Sequence, residues 1–134
     1  KIGDKLIQID AGRLEPALAK MKDALTTLPN AKKIAVVAIN DEGIQGAFAA
    51  ARAIGRDKDI YAGSQGAAAS AHCDIAKNPN WIGATAYFPE RYGEIGIPYL
   101  IDLIKGKKVP FQLKIKHVAI NGTNIDKNFK VTGC

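Results

Sequence analysis

The sequence lacks a long apolar run. Its longest, Ile34 to Ile39, holds six residues, where a bilayer-spanning helix needs ~20, so a helical membrane span is excluded. Cysteine is scarce: Cys73 and Cys134 are the only two, which is no disulfide framework and no zinc spacing. His72 stands beside Cys73, but adjacent ligands without a second pair make no metal site. A bridge between the cysteines requires the C-terminus to fold back, and the pair alone does not fix a compartment. Catalytic signatures are missing as well. There is no Gly-x-Ser-x-Gly elbow, no phosphate loop ending in Gly-Lys-Ser/Thr and no Gly-x-Gly-x-x-Gly. His72 and His117 lie far apart, each read as a helix-surface or strand-face residue rather than a base. No leader is visible: Lys1 opens directly into a strand-like segment, so an export signal was removed or never existed. No catalytic residue, cofactor or metal is expected.

What is present is globular. The chain has 134 residues, 47% hydrophobic and 24% charged, which suits one domain with a real core and excludes intrinsic disorder. The formal charge is +6, densest at Lys105, Lys107, Lys108, Lys114, Lys116 and His117. No arginine cluster and no interleaved aromatics accompany them. A solvated face therefore explains these charges better than a polyanion site, and no nucleic-acid partner is expected. In Leu113-Lys114-Ile115-Lys116 the alternation reads as a strand with one wet face.

Strand-like and helix-like segments alternate. Leu6 to Ile9 reads as a strand. Leu14, Leu18, Met21, Leu25 and Leu28 then form a helical stripe, with Pro16 in its first turn and Pro29-Asn30 as its stop. Ile34 to Ile39 is apolar on both faces, as in a central parallel strand. Asp41-Glu42 open a helix with Ile44, Phe48, Ala51 and Ile54 on one side, closed by Gly55, and the helix dipole explains the two acids. Asp59 to Ala62 reads as a strand, Gly63-Ser64-Gln65-Gly66 as a turn and Ala67 to Ala76 as a short helix. Trp81 to Ala86 is another strand, Pro89 to Lys105 a helix that Pro98 should kink, and Phe111 to Ala119 a last strand. Repeated β-α units of this kind predict an α/β fold with a parallel sheet and helices packed on it.

In such sheets ligands bind beyond the carboxyl ends of the strands. That rule selects Asn40, Gln65 and Tyr87, two amides and a phenol that match the paired donors and acceptors of a neutral polyhydroxylated ligand. Asn40 has an equally good second reading, as the cap of the following helix. Gly63 to Gly66 could hold a phosphate on backbone amides, although a turn is the simpler reading.

The stretch from Ala35 to Ala47, with Asn40-Asp41 and Gly46-Ala47, resembles the Ala-x-Asn-Asp-x-x-Ala-x-Gly-Ala signature of type I periplasmic sugar-binding proteins of ABC transporters, the ribose- and galactose-binding-protein group. The order of later segments fits too. Gly55-Arg56 before a strand, Gly63-Ser64-Gln65-Gly66 in place of Gly-Phe-Asp-Gly, Trp81 to Pro89, Gly106-Lys107-Lys108-Val109-Pro110 and Thr123-Asn124-Ile125-Asp126 all have counterparts there.

The resemblance implies the C-terminal half of a two-lobe binding protein: a three-layer parallel-sheet lobe of the type I periplasmic-binding fold, Rossmann-like or flavodoxin-like, and incomplete. Residues 1–86 and 111–120 would belong to the second lobe, and the 89–105 helix would pack on the otherwise missing first lobe. It implies a solute-binding component of a sugar importer, not an enzyme, holding a small neutral sugar or polyol between lobes. The implied partners are that ligand, a membrane permease, and either the missing N-terminal half or a second copy joined through the 89–105 helix. The implied location is periplasmic or extracellular, with a lipid anchor an option for the full-length form. Asn40 matches the family's sugar-binding Asn, Gln65 stands where an Asp is usual, and Tyr87 where many members have Gln or Asn. Arg13 lies near a contact position. The effector core of a lactose-repressor-like regulator shares these lobes, and a self-contained flavodoxin-like domain is a third reading.

Overall fold

The computed structural model describes residues 6–134; the first five positions of the segment expected to begin the second lobe lie outside the described residues. Four strands form one sheet in the order β1-β2-β3-β4. These are β1 (Ile34–Val37), β2 (Ile60–Gly66), β3 (Trp81–Ala86) and β4 (Val118–Ile120). The first three run parallel and β4 joins β3 antiparallel. Helix α1 (Leu14–Thr26) precedes β1, α2 (Asp41–Arg52) and α3 (His72–Lys77) occupy the crossovers, α4 (Tyr92–Ile104) leads from β3 toward β4, and α5 (Ile125–Asn128) follows β4. The α/β fold read from the sequence is what forms.

One face of the sheet is closed. Ile60, Ala62 and Ser64 of β2 point the same way, as period-two alternation requires, and are buried with Trp81, Ala84 and Ala86 of β3 and Ile120 of β4. Trp81 and Ala84 are three apart, so simple alternation would send them to opposite faces. A register shift corrects this: Ala62 pairs with Trp81 but Gly63 with Gly83, leaving Ile82 as the extra residue of a bulge. Against this face pack Met21 and Leu25 of α1, Ile44, Phe48 and Ala51 of α2, Ile75 of α3 and Ile125 of α5. Phe48 stacks on Trp81 with ring centroids 6.1 Å apart.

Helices α1 and α2 cross closely because of Gly46. A Cβ there would stand 2.4 Å from the Leu14 carbonyl oxygen and 2.9 Å from the Leu18 nitrogen. At the far end Gly55 turns the chain with φ +68, a backbone state glycine adopts at no steric cost. Arg56 then donates to the Ala31 carbonyl at 2.5 Å and to Asp59 at 2.9 Å, tying the end of α1 to the start of β2.

The other face is open. Val37 is 86% exposed and Ile82 58% exposed, and with Ala35, Tyr61, Gly83 and Ala119 they floor a broad apolar trough. Of the three layers expected, two are formed among the described residues. Ile34 to Ile39 was expected as a central strand, yet β1 lies at the sheet edge. Its second apolar side meets nothing among the described residues.

Several sequence readings are corrected. Leu6 to Ile9 forms no strand; Ile9 packs on the core, and no strand among the described residues offers backbone partners. Gly63 to Gly66 is not a turn but the last part of β2, paired on to Ala86; the chain turns at Ala67, where φ is +51. Phe111 to His117 is not strand, since pairing begins only where Val118 meets Ala86. The expected 67–76 helix is a 3-10 turn followed by α3. Ile54 lies beyond the end of α2 and is exposed. The expected 89–105 helix is a 3-10 turn, Pro89–Arg91, followed by α4 with Pro98 inside it.

The cysteines pair. Cys73 of α3 and Cys134 form a disulfide with Cα atoms 5.4 Å apart, so the C-terminus does fold back. Phe129 comes with it, its ring 4.3 Å from that of His72 and 5.4 Å from that of Phe88.

Gly46→Ala should lower unfolding stability by about 3 kcal/mol, because backbone rather than a flexible side chain blocks the new methyl. Gly96→Ala in α4, where nothing lies within 4 Å, should be neutral or slightly stabilising. Urea unfolding of the two variants checks both, and equal effects would remove the close-crossing explanation.

Candidate functional site

The three strands are parallel, so their carboxyl ends point the same way: Val37 at the end of β1 pairs with Gly63, and β2 runs on to Gly66 beside Ala86 at the end of β3. Asn40 follows β1 and caps α2: its Oδ1 accepts from the Gly43 amide at 3.0 Å. Its Nδ2 donates to the Gly12 carbonyl at 2.7 Å. The capping reading is therefore seen directly. One amide hydrogen and one lone pair are left over. Arg13, exposed, is next to Gly12 in sequence and precedes α1.

Gln65 is not in a turn. It lies in β2 opposite Thr85 of β3, exposed, with both residues at the rim of the open apolar face. Tyr87 follows β3 at the same edge, half-buried, its ring centroid 6.0 Å from that of His117. The structure thus joins Asn40 to Gly12, the residue before Arg13, and Tyr87 follows β3 at its carboxyl end. Gln65 lines the open face of the sheet.

Behind this edge lies a polar node that sequence reading missed. Asp41 is 3% exposed. Its Oδ1 accepts from the Ser64 hydroxyl at 2.5 Å and its Oδ2 from the Ala68 amide at 2.7 Å. Ser64 in turn accepts from the Trp81 indole N–H at 3.2 Å. The carboxylate sits at the positive end of α2, where negative charge is favoured. Together these bonds hold the end of β2, the turn after it and the start of α2 in one arrangement. Gly66 is required beside it: with φ +123, a Cβ there would stand 2.8 Å from Asp41 Oδ2. The only sequence signal was Asp41 itself, which the helix dipole already explained.

His72 is used structurally, its Nε2 within 2.8 Å of the Ala67 carbonyl and its ring against Phe129. Gln45 donates to Asp74 at 2.8 Å and so fastens α2 to α3. Among the described residues no group of three or more His, Cys, Asp or Glu could hold a metal ion. The arrangement is one of hydrogen-bonding groups on a rigid edge, able to bind and orient hydroxyls.

No family model matches the sequence, and no curated protein matches it. Solved structures do. The chain has the fold of one part of a type I periplasmic sugar-binding protein, at identities too low to carry more than fold. It is similar to an ABC transporter solute-binding protein from Agrobacterium vitis with bound allitol, at TM-score 0.79 and 20% identity, over 94% of this chain and 44% of that one. An ABC transporter periplasmic solute-binding protein from Actinobacillus succinogenes with bound D-allose gives TM-score 0.76 and 19% identity, over 87% and 40%. A Caulobacter myo-inositol binding protein bound to myo-inositol gives 0.73 and 21%, over 86% and 39%. The chain spans about two-fifths of the length of the structures it matches.

Asp41→Ala should cost about 3 kcal/mol of stability, since it strands two donors on a buried carboxylate's partners. Asp41→Asn, which keeps one acceptor, should cost less. Chemical denaturation of both decides it; a loss below about 1 kcal/mol for Asp41→Ala, the lower end for one unsatisfied buried group, would show that the node is dispensable.

Proposed function

We propose that this chain is part of a solute-binding component of an ABC-type sugar importer, holding a small neutral sugar or polyol at the carboxyl edge of its sheet. The observation that carries the reading is the parallel run of β1, β2 and β3, whose carboxyl ends point one way, with Asn40 following β1 and Tyr87 following β3. The match of the surrounding fold to structures that hold allitol, D-allose and myo-inositol supports it. In this reading Asn40 uses its remaining hydrogen and lone pair on ligand hydroxyls, Arg13 donates from the neighbouring loop, and Tyr87 supplies a ring and a hydroxyl. Gln65 reaches the ligand from the rim.

Binding rather than catalysis fits two amides, a phenol and a guanidinium with no nucleophile or general base among them, and a membrane permease is the partner that would receive the solute. Residues 1–86 and 111–120 make one lobe, with residues 89–105 reaching toward a second. The Cys73–Cys134 disulfide supports a periplasmic or extracellular setting, because such bonds persist in oxidising compartments and are rare in the cytosol. That observation weighs against the transcription-regulator reading.

One edge alone cannot enclose a sugar, and enclosure is what removes water and pairs most hydroxyls. Titration of the chain with D-allose, allitol and myo-inositol should therefore give dissociation constants of about 1 mM or weaker, some 4 kcal/mol of binding. Amide shifts in NMR should cluster at Asn40, Arg13 and Tyr87. Micromolar affinity would overturn the one-wall reading, and shifts absent from that edge would overturn the sugar site itself.

A further inference from the structure

The two bonded cysteines stand 61 positions apart, and the loop they close contains β3, α4, β4 and α5. Its return half is lightly held by backbone, since β4 has three residues and α5 four. Residues 129–134 then form neither helix nor strand. Side chains and the disulfide place them instead. Phe129 sets its ring against His72 and Phe88, Val131 packs on the core, and Lys77 of α3 donates to the Cys134 carbonyl.

Phe88 carries this segment's influence to the end of β3. It takes a left-handed backbone with φ +49, a state that a bulky residue holds only where its surroundings impose it. The Phe129 ring, stacked on it at 5.4 Å, is one such support. The return path runs alongside: Ala86 pairs with Val118, and the Tyr87 ring lies 6.0 Å from that of His117. Outgoing residues 86–88 and returning residues 117–118 therefore form one crossing, with Phe129 against it. The bond that holds Phe129's segment is open to attack. Cys134 is exposed while Cys73 is half-buried, so an incoming thiolate meets the Cys134 sulfur first, and the Lys77 ammonium at that residue favours an anionic thiolate nearby.

We propose that the Cys73–Cys134 disulfide is a reducible latch on this crossing, opened by a dithiol. One thiolate of the dithiol attacks Cys134 Sγ; the S–S bond breaks and its electron pair leaves on Cys73 Sγ, which takes up a proton. The dithiol's second thiolate then attacks the dithiol's first sulfur, displacing Cys134 as a thiolate that is protonated in turn. The protein gains two electrons and two protons, and the dithiol ends as a disulfide. A disulfide acts by limiting the freedom of the chain it closes. Once it opens, residues 129–134 leave α3, Phe129 leaves Phe88, and the left-handed turn loses its support. Reoxidation closes the latch by the reverse exchange. This does not rest on the sugar reading, because it concerns the crossing itself.

Hydrogen exchange read by mass spectrometry tests the latch on the folded protein, first oxidised and then treated with dithiothreitol. Reduction should speed exchange about tenfold or more in peptides covering residues 85–91 and 117–121, through local opening. Residues 44–51 of α2 and 60–63 of β2 should keep their rates, and oxidised glutathione should restore slow exchange at the crossing. Phe129→Ala with the disulfide intact should speed residues 85–91 without reductant. A bond that resists dithiothreitol in the folded protein would overturn the proposal, as would a crossing whose exchange reduction leaves unchanged. So would equal acceleration in α2 and β2, which means the bond holds the whole lobe, or a Phe129→Ala protein in which residues 85–91 exchange as before.

Discussion

The structure depends on one buried carboxylate. Asp41 stands at the first turn of α2 with almost no exposure, and it is tolerated there because every demand it makes is met. The helix end supplies positive potential, and Ser64 and the Ala68 amide supply hydrogen bonds. Those same bonds fix where β2 stops, how the chain turns at Ala67 and how α2 leaves the sheet. Asn40, one residue earlier, caps that helix and holds Gly12. The carboxyl edge is rigid for this reason, and rigidity is what a site made of a few hydrogen-bonding groups needs.

The second constraint is parity. The bulge at Ile82 lets Trp81 and Ala84 join the same core, which closes one face completely and leaves Ile82 on the other. The result is a sheet with a dry side and an apolar side that still lacks its cover. A small cluster at the strand ends and a large apolar face therefore have different physical roles. The first offers donors and acceptors in a small area and suits a hydroxylated solute. The second offers area without polar groups and suits packing against polypeptide.

Much of this was legible in the sequence, for local reasons. The apolar runs at Ile34 and Ile60, the stripe through Met21 and Leu25, and the order of β-α units all gave the fold class, since periodicity records which face is buried. Asn40 was correctly placed at a strand end, with its capping role foreseen as one of two readings. What was missed depended on distant partners. Gly63 to Gly66 looks like a turn by composition, yet neighbouring strands draw it into β2. Leu6 to Ile9 and Leu113 to Lys116 look like strands, yet no strand lies beside them. The Ser64–Asp41–Ala68 node joins residues far apart in sequence and leaves no local pattern. The disulfide was open for the same cause, because only the fold brings Cys134 to α3.

The role of Asp41 is tested most directly by hydrogen exchange at the Ala68 amide in the unaltered protein. Ala68 is exposed, and a turn residue of that kind ordinarily exchanges by local fraying. Bonded to Asp41, its amide should instead exchange as slowly as the core amides of Ala62 and Ala84, opening only when the whole closed face opens. Rapid exchange at Ala68 while those core amides stay protected would contradict the claim that the carboxylate holds the edge together.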